Sequence, residues 1–235
     1  MAPKDEPARR ETAFFGRRKG HRLRARRADV FADLLPKLRI DPALATDPAL
    51  LFPGRVADVW LEIGFGGGEH LLAQALANPT IGFIGCEPFI NGMAKLLSEI
   101  ATRGITNIRL YDTDAMHLLN ALPEQCIGRV FLLYPDPWPK RRHNKRRFVS
   151  DESLTLLGRV IRPGGEFRFA SDIDHYAGWT LVRTMRSGAF RWTAAVADDW
   201  RLPWVDWRGT RYEAKAKREG RKPSYLTFER RTAAG

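Results

Sequence analysis

Cysteine is scarce in this sequence, and metal-binding patterns are missing with it. Cys86 and Cys126 are the only cysteines among 235 residues, and neither has a CxxC partner or a nearby pair of histidines. A structural zinc site needs several such ligands at short spacings, so we expect no bound metal. One disulfide between the two cysteines stays open, although free thiols in a reducing compartment are the favoured interpretation.

Long apolar stretches are also absent. No run approaches the ~20 apolar residues that a membrane-spanning helix needs. The first residues lack the apolar core of a secretory signal, and Asp5, Glu6 and Glu11 argue against an organellar transit peptide. We therefore expect a cytoplasmic protein that does not enter the membrane.

Positive charge is what the sequence has in excess. Its 39 lysines and arginines outnumber 27 aspartates and glutamates, which gives a formal net charge of +12. Nine basic residues fall between Arg9 and Arg27, with one acidic residue among them. Because clustered cations attract polyanions, we expect a nucleic-acid partner. Residues 1–27 are predicted to form a flexible basic arm, either ordering on RNA or merely solubilising, and residues 28–235 to form one domain.

Short β-rich runs alternate with helix-length stretches from residue 56 onward. The predicted strands are 56–63, 81–87, 108–111, 129–134 and 166–171, with two edge strands at 190–196 and 225–230. Helical stretches between them include 69–77, 90–103 and 151–161. This alternation predicts an α/β fold with a doubly wound, mostly parallel, seven-stranded, Rossmann-like sheet. A turn at Pro163 and Gly164 is expected to lead into the fifth strand.

A glycine-rich loop follows the first predicted strand, in the segment LEIGFGGG at 61–68. Glycines there let the backbone turn tightly and approach a ligand. The dinucleotide fingerprint fails, because Glu69 stands where its third glycine belongs. Glu62 would repel a pyrophosphate, but it can bind the amino group of an aminoacyl ligand. The loop therefore favours S-adenosylmethionine, with Glu62, Gly64 and Gly66 as cofactor-binding residues.

Further acidic residues follow the next two strands. Glu87 closes the second predicted strand, where doubly wound folds place a carboxylate on ribose hydroxyls. Asp114 follows the third strand, at a position suited to the adenine amino group. Each acid alone is equally consistent with a solvated loop residue. Acids after three successive strands, Glu62 included, indicate an adenosyl ligand.

The most distinctive stretch is YPDPWPKRRHNKRR at 134–147, directly after the fourth predicted strand. Three prolines around Asp136 make a stiff loop, which preserves alignment at a reacting centre. Asp136 can accept hydrogen bonds from N1–H and the N2 amino group of guanine. Trp138 either packs against a base or wedges the loop against the core. Contacts with RNA are expected from Arg142, His143, Asn144, Lys145, Arg146 and Arg147.

This stretch resembles the bacterial tRNA (guanine-N7)-methyltransferase family. The resemblance rests on PDPWPK at 135–140, on HNKRR at 143–147 and on EIGFG in the glycine-rich loop. TRYE at 210–213, with Lys215 and Gly220, is similar to the family's C-terminal motif. Pro139 stands where many relatives carry His, and Gly67 where others carry Met, which affects only loop detail.

The resemblance implies a class I S-adenosylmethionine-dependent methyltransferase that methylates N7 of guanosine 46 in the variable loop of tRNA. It assigns Glu62, Glu87, Asp114 and Asp136 to the cofactor site, with Asp136 also the catalytic carboxylate. It assigns contacts with the substrate guanosine to Lys140, Asp172, Thr210, Arg211, Tyr212 and Glu213. A monomer or weak homodimer with no obligatory protein partner is expected.

Other interpretations stay open at this point. A methyltransferase acting on an exocyclic amine would use an Asp-Pro-Pro-Tyr loop, which residues 135–138 loosely resemble. A non-catalytic RNA-binding protein that keeps the fold would not need the acids of the cofactor loop. Glu62 and Glu69 disfavour a dinucleotide oxidoreductase. Asp172 is equally consistent with a helix N-cap. Packing beneath the last strands, rather than against RNA, is expected for Trp200, Trp204 and Trp207.

Overall fold

A seven-stranded sheet runs through the computed structural model, which describes residue 16 and residues 18–42 and 46–232. The strands are β1 (Asp58–Ile63), β2 (Ile81–Cys86), β3 (Ile108–Tyr111), β4 (Ile127–Leu133), β5 (Ile161–Ser171), β6 (Phe190–Trp192) and β7 (Ser224–Arg230). Across the sheet their order is β3-β2-β1-β4-β5-β7-β6. Strands β1 to β5 are parallel, and β7 is antiparallel to both neighbours. The predicted doubly wound fold is confirmed.

The strand order reverses between β1 and β4. The chain builds outward from β1 through β2 to β3, and then returns to place β4 on the other side of β1. Connections after β1 and β4 leave the sheet toward opposite faces, which opens a crevice at the carboxyl ends of the strands. The glycine-rich loop and the loop that carries Asp136 border that crevice.

Helices cover the two faces of the sheet. They are α1 (Ala25–Leu38), α2 (Glu69–Ala77), α3 (Ile90–Arg103), α4 (Ala115–Ala121), α5 (Asp151–Val160), α6 (Asp174–Arg186), α7 (Asp198–Arg201) and α8 (Arg211–Arg218). Apolar side chains of α1 to α3 pack together on one face, and those of α4 to α6 pack on the other. Among the helices of the described residues, none is both long and apolar enough to cross a membrane.

Helix α3 illustrates how the sequence pattern produces this packing. Met93, Leu96, Leu97 and Ile100 recur every three or four residues, so they lie on one face and are buried. The helix ends at Gly104, which has the left-handed conformation that closes many helices. Removal of these side chains from water holds the helix against the sheet.

A loop, rather than a helix, covers one face of β4, β5 and β7. Phe131, Leu133 and Tyr225 belong to a buried cluster there, against which Trp204 and Trp207 pack. The two indoles meet edge to face with ring centroids 5.4 Å apart. The predicted packing beneath the last strands is confirmed for both. The third tryptophan of the segment, Trp200, is half-buried against the main core.

The first helix begins within the segment that the sequence predicts to be a basic arm. Helix α1 begins at Ala25, inside the predicted arm, and the residues before it contact the start of α3. The Gly20 N–H donates to Asn91 Oδ1 at 2.7 Å, and Asn91 Nδ2 donates to the His21 carbonyl at 2.7 Å. Residues 18–27 of the predicted arm therefore contact the domain, while of the earlier residues the structure describes only residue 16, so the arm itself stays a prediction.

Two strand boundaries differ from the prediction. Strand β5 begins at Ile161, and the expected Pro163–Gly164 turn is an irregularity within its pairing with β4. Strand β6 ends at Trp192 instead of continuing to residue 196. The Asp199 carboxylate accepts the N–H groups of residues 195 and 196, at 2.8 and 3.0 Å, which turns the chain toward α7.

Candidate active site

The glycine-rich loop lies against the start of α3. Gly66 has a φ of +57° and donates its N–H to Glu87 Oε2 at 2.7 Å. A Cβ on Gly92 would overlap the Gly66 carbonyl oxygen, so the loop and α3 approach more closely than a side chain would permit. Beside Gly64, nothing lies within 4 Å of the position that a Cβ would take. The loop therefore offers open space on its outer side, as a ligand cradle requires.

Glu62 lies near the end of β1 with its carboxylate buried. It is 3 % exposed, and its Oε2 lies 2.7 Å from Nδ1 of His70. An ionised carboxylate only accepts, so Nδ1 of His70 carries the proton of this bond. The His70 ring packs against Phe131 and Trp207, with centroids 4.7 and 5.2 Å apart. One carboxylate oxygen is thus fixed, and Oε1 is left for a cation.

Glu87 follows β2 and is bonded by two backbone N–H groups. Its Oε2 accepts from Gly66 at 2.7 Å, and its Oε1 accepts from Phe89 at 2.9 Å. Burial raises the pKa of Glu87, and the two backbone donors oppose the rise. The Asp136 carboxylate raises this pKa further, whereas Arg211 lowers it. Two residues from distant parts of the sequence, Asp136 and Arg211, therefore lie within electrostatic reach of Glu87.

Asp114 begins α4 as its N-cap. Its Oδ1 accepts a hydrogen bond from the Met116 N–H at 2.9 Å. This bond satisfies a donor at the helix N-terminus that would otherwise lack an intrahelical partner. The second carboxylate oxygen remains for the adenine amino group, and this cofactor contact stays a prediction.

The Asp136 loop, residues 134–140, leaves β4 in a strained conformation. Tyr134 and Trp138 have φ values of 50° and 41°, in the left-handed region that residues other than glycine seldom occupy. Asp136 is exposed between them. Trp138 packs on neighbouring residues, edge to face with His143 at 5.9 Å and 4.9 Å from the Arg146 guanidinium. These contacts favour the interpretation of Trp138 as a wedge within the loop.

The basic run after the loop splits into exposed and buried parts. Lys140, Arg142 and Lys145 are exposed, where phosphates can reach them. His143, Asn144 and Arg146 are half-buried in a short 3-10 helix, Arg141–Arg146. Desolvation and then the neighbouring cations lower the pKa of His143. RNA contact by the five residues from 142 to 146 stays a prediction, as does contact between Lys140 and the substrate guanosine.

Arg147 does not fit the expected role in RNA contact. It is 3 % exposed, and its Nε donates to the Pro137 carbonyl at 2.8 Å. The guanidinium points into the protein, where Nε bonds the Asp136 loop and Nη2 lies 2.9 Å from Nδ1 of His175, while Nη1 has no hydrogen-bond partner among the described residues. Residue type alone does not distinguish an inward-pointing arginine from an outward-pointing one, so the sequence predicts the same role for Arg147 as for its basic neighbours.

The C-terminal motif folds over the glycine-rich loop. Thr210 caps α8, since its Oγ1 accepts the Glu213 N–H at 3.1 Å. Arg211 Nη2 and the Tyr212 ring lie 3.3 and 3.4 Å from the position that a Cβ on Gly66 would take. Both side chains are exposed, and a cavity of about 430 Å³ opens between this motif and α2. The segment predicted to bind guanosine therefore borders the predicted cofactor loop.

Glu213, the last residue of that motif, is buried and holds α8 against the rest of the protein. Its carboxylate accepts from Trp207 Nε1 at 2.7 Å and from the Tyr225 hydroxyl at 2.5 Å, and it pairs with Lys217 Nζ at 2.5 Å. These bonds connect α8 to β7 and to the loop that carries Trp204 and Trp207. Direct contact between Glu213 and guanosine stays a prediction.

Asp172, just after β5, is paired with an arginine. Its Oδ2 accepts from Arg221 Nε at 2.5 Å. The N-cap of α6 is Ile173, so the alternative interpretation of Asp172 as the helix cap is wrong. Neither Arg221 nor His70 was singled out from the sequence, because only the fold brings each to its carboxylate.

Comparison with known proteins decides among the interpretations. The family model described as "Putative methyltransferase" matches residues 57–225. A tRNA (guanine-N(7)-)-methyltransferase of Agrobacterium fabrum is 58% identical over 221 residues, which cover 93% of this chain and 95% of the relative. The chain belongs to the tRNA (guanine-N7)-methyltransferase family. Enzymes of the same name from Rhodopseudomonas palustris (strain BisB18) and Mesorhizobium japonicum are 56% and 52% identical, covering 95% and 98% of this chain and 90% and 100% of the relatives.

Solved structures agree on the fold of this methyltransferase. The 16S rRNA methyltransferase KamB has a TM-score of 0.54 at 19% identity, covering 75% of this chain and 89% of that one. The aminoglycoside resistance methyltransferase NpmB1 has a TM-score of 0.52 at 16% identity, covering 74% and 88%. At these identities the likeness shows the fold alone. The predicted family, the class I fold and the use of S-adenosylmethionine are confirmed, and the oxidoreductase interpretation is excluded.

Proposed function

We propose that the protein transfers a methyl group from S-adenosylmethionine to N7 of guanosine 46 in the variable loop of tRNA. One observation carries the assignment of roles within the site. Asp136 and Arg211, from distant parts of the sequence, both lie within electrostatic reach of Glu87. Family membership supplies the class of reaction, and the proximity of Asp136 and Arg211 to Glu87 supports the proposed meeting point of cofactor and guanosine.

The residues after β1, β2 and β3 fit the cofactor. Glu62 keeps Oε1 for an ammonium group, since His70 is bonded to Oε2. Glu87 retains lone pairs for ribose hydroxyls in addition to the two backbone N–H groups that hold it. Asp114 has one oxygen left for the adenine amino group. When bound, S-adenosylmethionine supplies an electrophilic methyl group on its sulfonium sulfur.

Guanine N7 is an acceptor that needs no general base. It already presents a lone pair at the major-groove edge, so no proton has to be removed before methyl transfer. The chain must orient the base and exclude water, and positioning of this kind supplies up to about 7–11 kcal/mol. The Asp136 carboxylate can hold the N1–H and N2 edge of guanine. It also stabilises the positive charge that methylation creates on the ring.

Exposed cations beside the Asp136 loop suit a tRNA substrate. Lys140, Arg142 and Lys145 face solvent, as do the side chains of Arg211 and Tyr212. Contacts between such cations and phosphates release counterions, which makes binding strong and salt-sensitive. The proposal includes a cytoplasmic location and an enzyme that acts as a monomer or weak homodimer.

Methyl transfer to total tRNA tests the proposal. The protein is incubated with S-adenosylmethionine labelled in its methyl group, and the tRNA is then digested and its nucleosides are separated. We expect 7-methylguanosine as the main labelled product, with no label in ribosomal RNA or DNA of equal mass. Label in an N2-methylated guanosine would favour transfer to an exocyclic amine, and an absence of labelled tRNA would contradict the proposal.

A further inference from the structure

Arg147 stands apart from the basic residues that precede it. Arg142 and Lys145 are exposed, whereas Arg147 is 3 % exposed. Burial of a guanidinium is costly, and here Nε and Nη2 have partners inside the protein whereas Nη1 has none among the described residues. The contacts of Arg147 therefore indicate which part of the structure its buried guanidinium stabilises.

The guanidinium of Arg147 is bonded to the Asp136 loop and to α6. Nε donates to the Pro137 carbonyl at 2.8 Å, and Nη2 lies 2.9 Å from Nδ1 of His175. Because a guanidinium only donates, Nδ1 of His175 is the acceptor in this pair. The group is flanked by the rings of Tyr176 and Trp179, at 4.8 and 5.0 Å from their centroids. These contacts fix the position and the plane of the guanidinium.

The Asp136 loop depends on such an external donor. Pro135, Pro137 and Pro139 have no N–H group, so the loop has few donors with which to bond its own carbonyls. Its left-handed residues, Tyr134 and Trp138, hold conformations that persist only where surrounding structure enforces them. The carbonyl that Arg147 Nε binds follows Asp136 by one residue and precedes Trp138.

We propose that Arg147 is a positioning residue that holds the Asp136 loop in the conformation used for methyl transfer, and that it does not contact tRNA. The inference rests on the proposed function, because Asp136 is the carboxylate that the loop presents to guanosine. His175 assists by accepting from the same guanidinium. The exposed cations of the run, by contrast, contribute affinity for phosphates.

The test compares Arg147→Lys with Arg142→Ala under steady-state conditions with tRNA. Lysine keeps the charge but loses the planar fork that reaches the loop and His175 together. For Arg147→Lys we expect kcat to fall by about 10- to 100-fold, since a misplacement near 1 Å can cost ~10²-fold. Its KM for tRNA and the slope of log KM against log salt stay at wild-type values. For Arg142→Ala we expect the reverse, a raised KM and a shallower salt slope with kcat retained.

A readout independent of activity separates this inference from the proposed function. Hydrogen exchange measured by mass spectrometry is expected to accelerate at residues 136–146 in Arg147→Lys and to stay unchanged in Arg142→Ala. His175→Ala, at an exposed position of α6, covers the case in which Arg147→Lys does not fold. It is expected to lower kcat less than Arg147→Lys does, again without a change in KM for tRNA.

Two results would overturn the inference. One is a raised KM and a shallower salt slope in Arg147→Lys with kcat retained. The other is unchanged hydrogen exchange of the loop in both Arg147→Lys and His175→Ala. If the wild-type protein forms no 7-methylguanosine, the proposed function fails, while the exchange measurement still decides whether Arg147 holds the loop.

Discussion

The cofactor side and the acceptor side of the active site are built in opposite ways. On the cofactor side, Glu62 and Glu87 are 3 % and 8 % exposed, and each carboxylate is fixed by partners inside the fold. On the acceptor side, Asp136 is exposed on a loop with two left-handed residues. The same chemical group is enclosed on one side of β1 and presented to solvent on the other.

This difference follows from the sizes of the two ligands. A small cofactor can be enclosed, so burial can hold its carboxylates in place before it binds. A tRNA cannot be enclosed, so the acceptor side stays open and obtains rigidity from prolines and from Arg147 beneath the loop. Electrostatic contacts on the open side are screened by salt, whereas those on the buried side are screened much less.

Asp136→Ala is expected to have the largest effect. Loss of one preorganised group facing transition-state charge typically lowers kcat by about 10²–10³-fold. We expect such a fall with 7-methylguanosine formation as the assay, while binding of S-adenosylmethionine stays measurable by calorimetry. Asp174→Ala removes an exposed carboxylate from the start of α6 and is the matched control. Near-normal turnover of Asp136→Ala would remove Asp136 from its catalytic role.

Glu62→Gln is expected to affect the cofactor side alone. Hydrogen bonds to charged groups contribute about 1.5–3 kcal/mol, so we expect Kd for S-adenosylmethionine to rise by roughly 10- to 100-fold. Affinity for tRNA, measured by filter binding, is expected to stay the same. Glu99→Gln, on the exposed side of α3, serves as the control. A loss of tRNA affinity in Glu62→Gln as large as the loss of cofactor affinity would contradict the separation of the cofactor side from the acceptor side.

Glu213→Gln is expected to weaken the fold where the C-terminal motif is anchored. Burial raises the pKa of Glu213, but hydrogen bonds from Lys217, Tyr225 and Trp207 outweigh that effect and lower it below the ordinary value. Loss of these bonds is expected to cost about 1–3 kcal/mol of unfolding free energy at pH 7. Thermal or urea unfolding of both proteins measures the difference.

The pH dependence of that difference has a defined sign. A lowered folded pKa gives stabilisation that is present above the unfolded value, near ~4.3, and is lost as pH falls through the folded value. The gap in stability between wild type and Glu213→Gln is therefore expected to close in acid. A gap that stays constant from neutral to acid pH would show that the charge on Glu213 is not what stabilises the anchor.

Lys145→Ala is expected to have the smallest effect. Removal of one phosphate contact reduces the slope of log affinity against log salt by about 0.7–0.9. Turnover at saturating tRNA is expected to be retained, because Lys145 is exposed and lies beyond the Asp136 loop. An unchanged salt slope in binding titrations would mean that Lys145 is a solvated residue without a phosphate contact.

The sequence predicts the fold and the main loops of the site well, for physical reasons. Strand periodicity and alternation locate the carboxyl ends of β1, β2 and β4, and topology brings those ends to one edge. The positions of Glu62, Glu87 and Asp136 at that edge can therefore be predicted from the sequence. The tryptophan packing is also predictable, since indole rings are more often buried than exposed to a nucleic acid.

Contacts across the fold could not be predicted in the same way. His70 reaches Glu62 only because α2 turns back over the end of β1, and Arg221 reaches Asp172 across 49 positions of the sequence. Arg147 and Arg142 are chemically identical, but Arg142 lies within the short 3-10 helix and is exposed, whereas Arg147 follows the end of that helix and is buried. Such pairings depend on three-dimensional geometry that residue type and spacing do not encode.

Location of the transferred methyl group tests the central claim most directly. A tRNA transcript with guanosine at position 46 and a second transcript with adenosine there are each incubated with the protein and labelled S-adenosylmethionine. The account predicts 7-methylguanosine at position 46 of the first transcript and no labelled guanosine in the second. Equal labelling of both transcripts, or label in any nucleoside other than 7-methylguanosine, would contradict it.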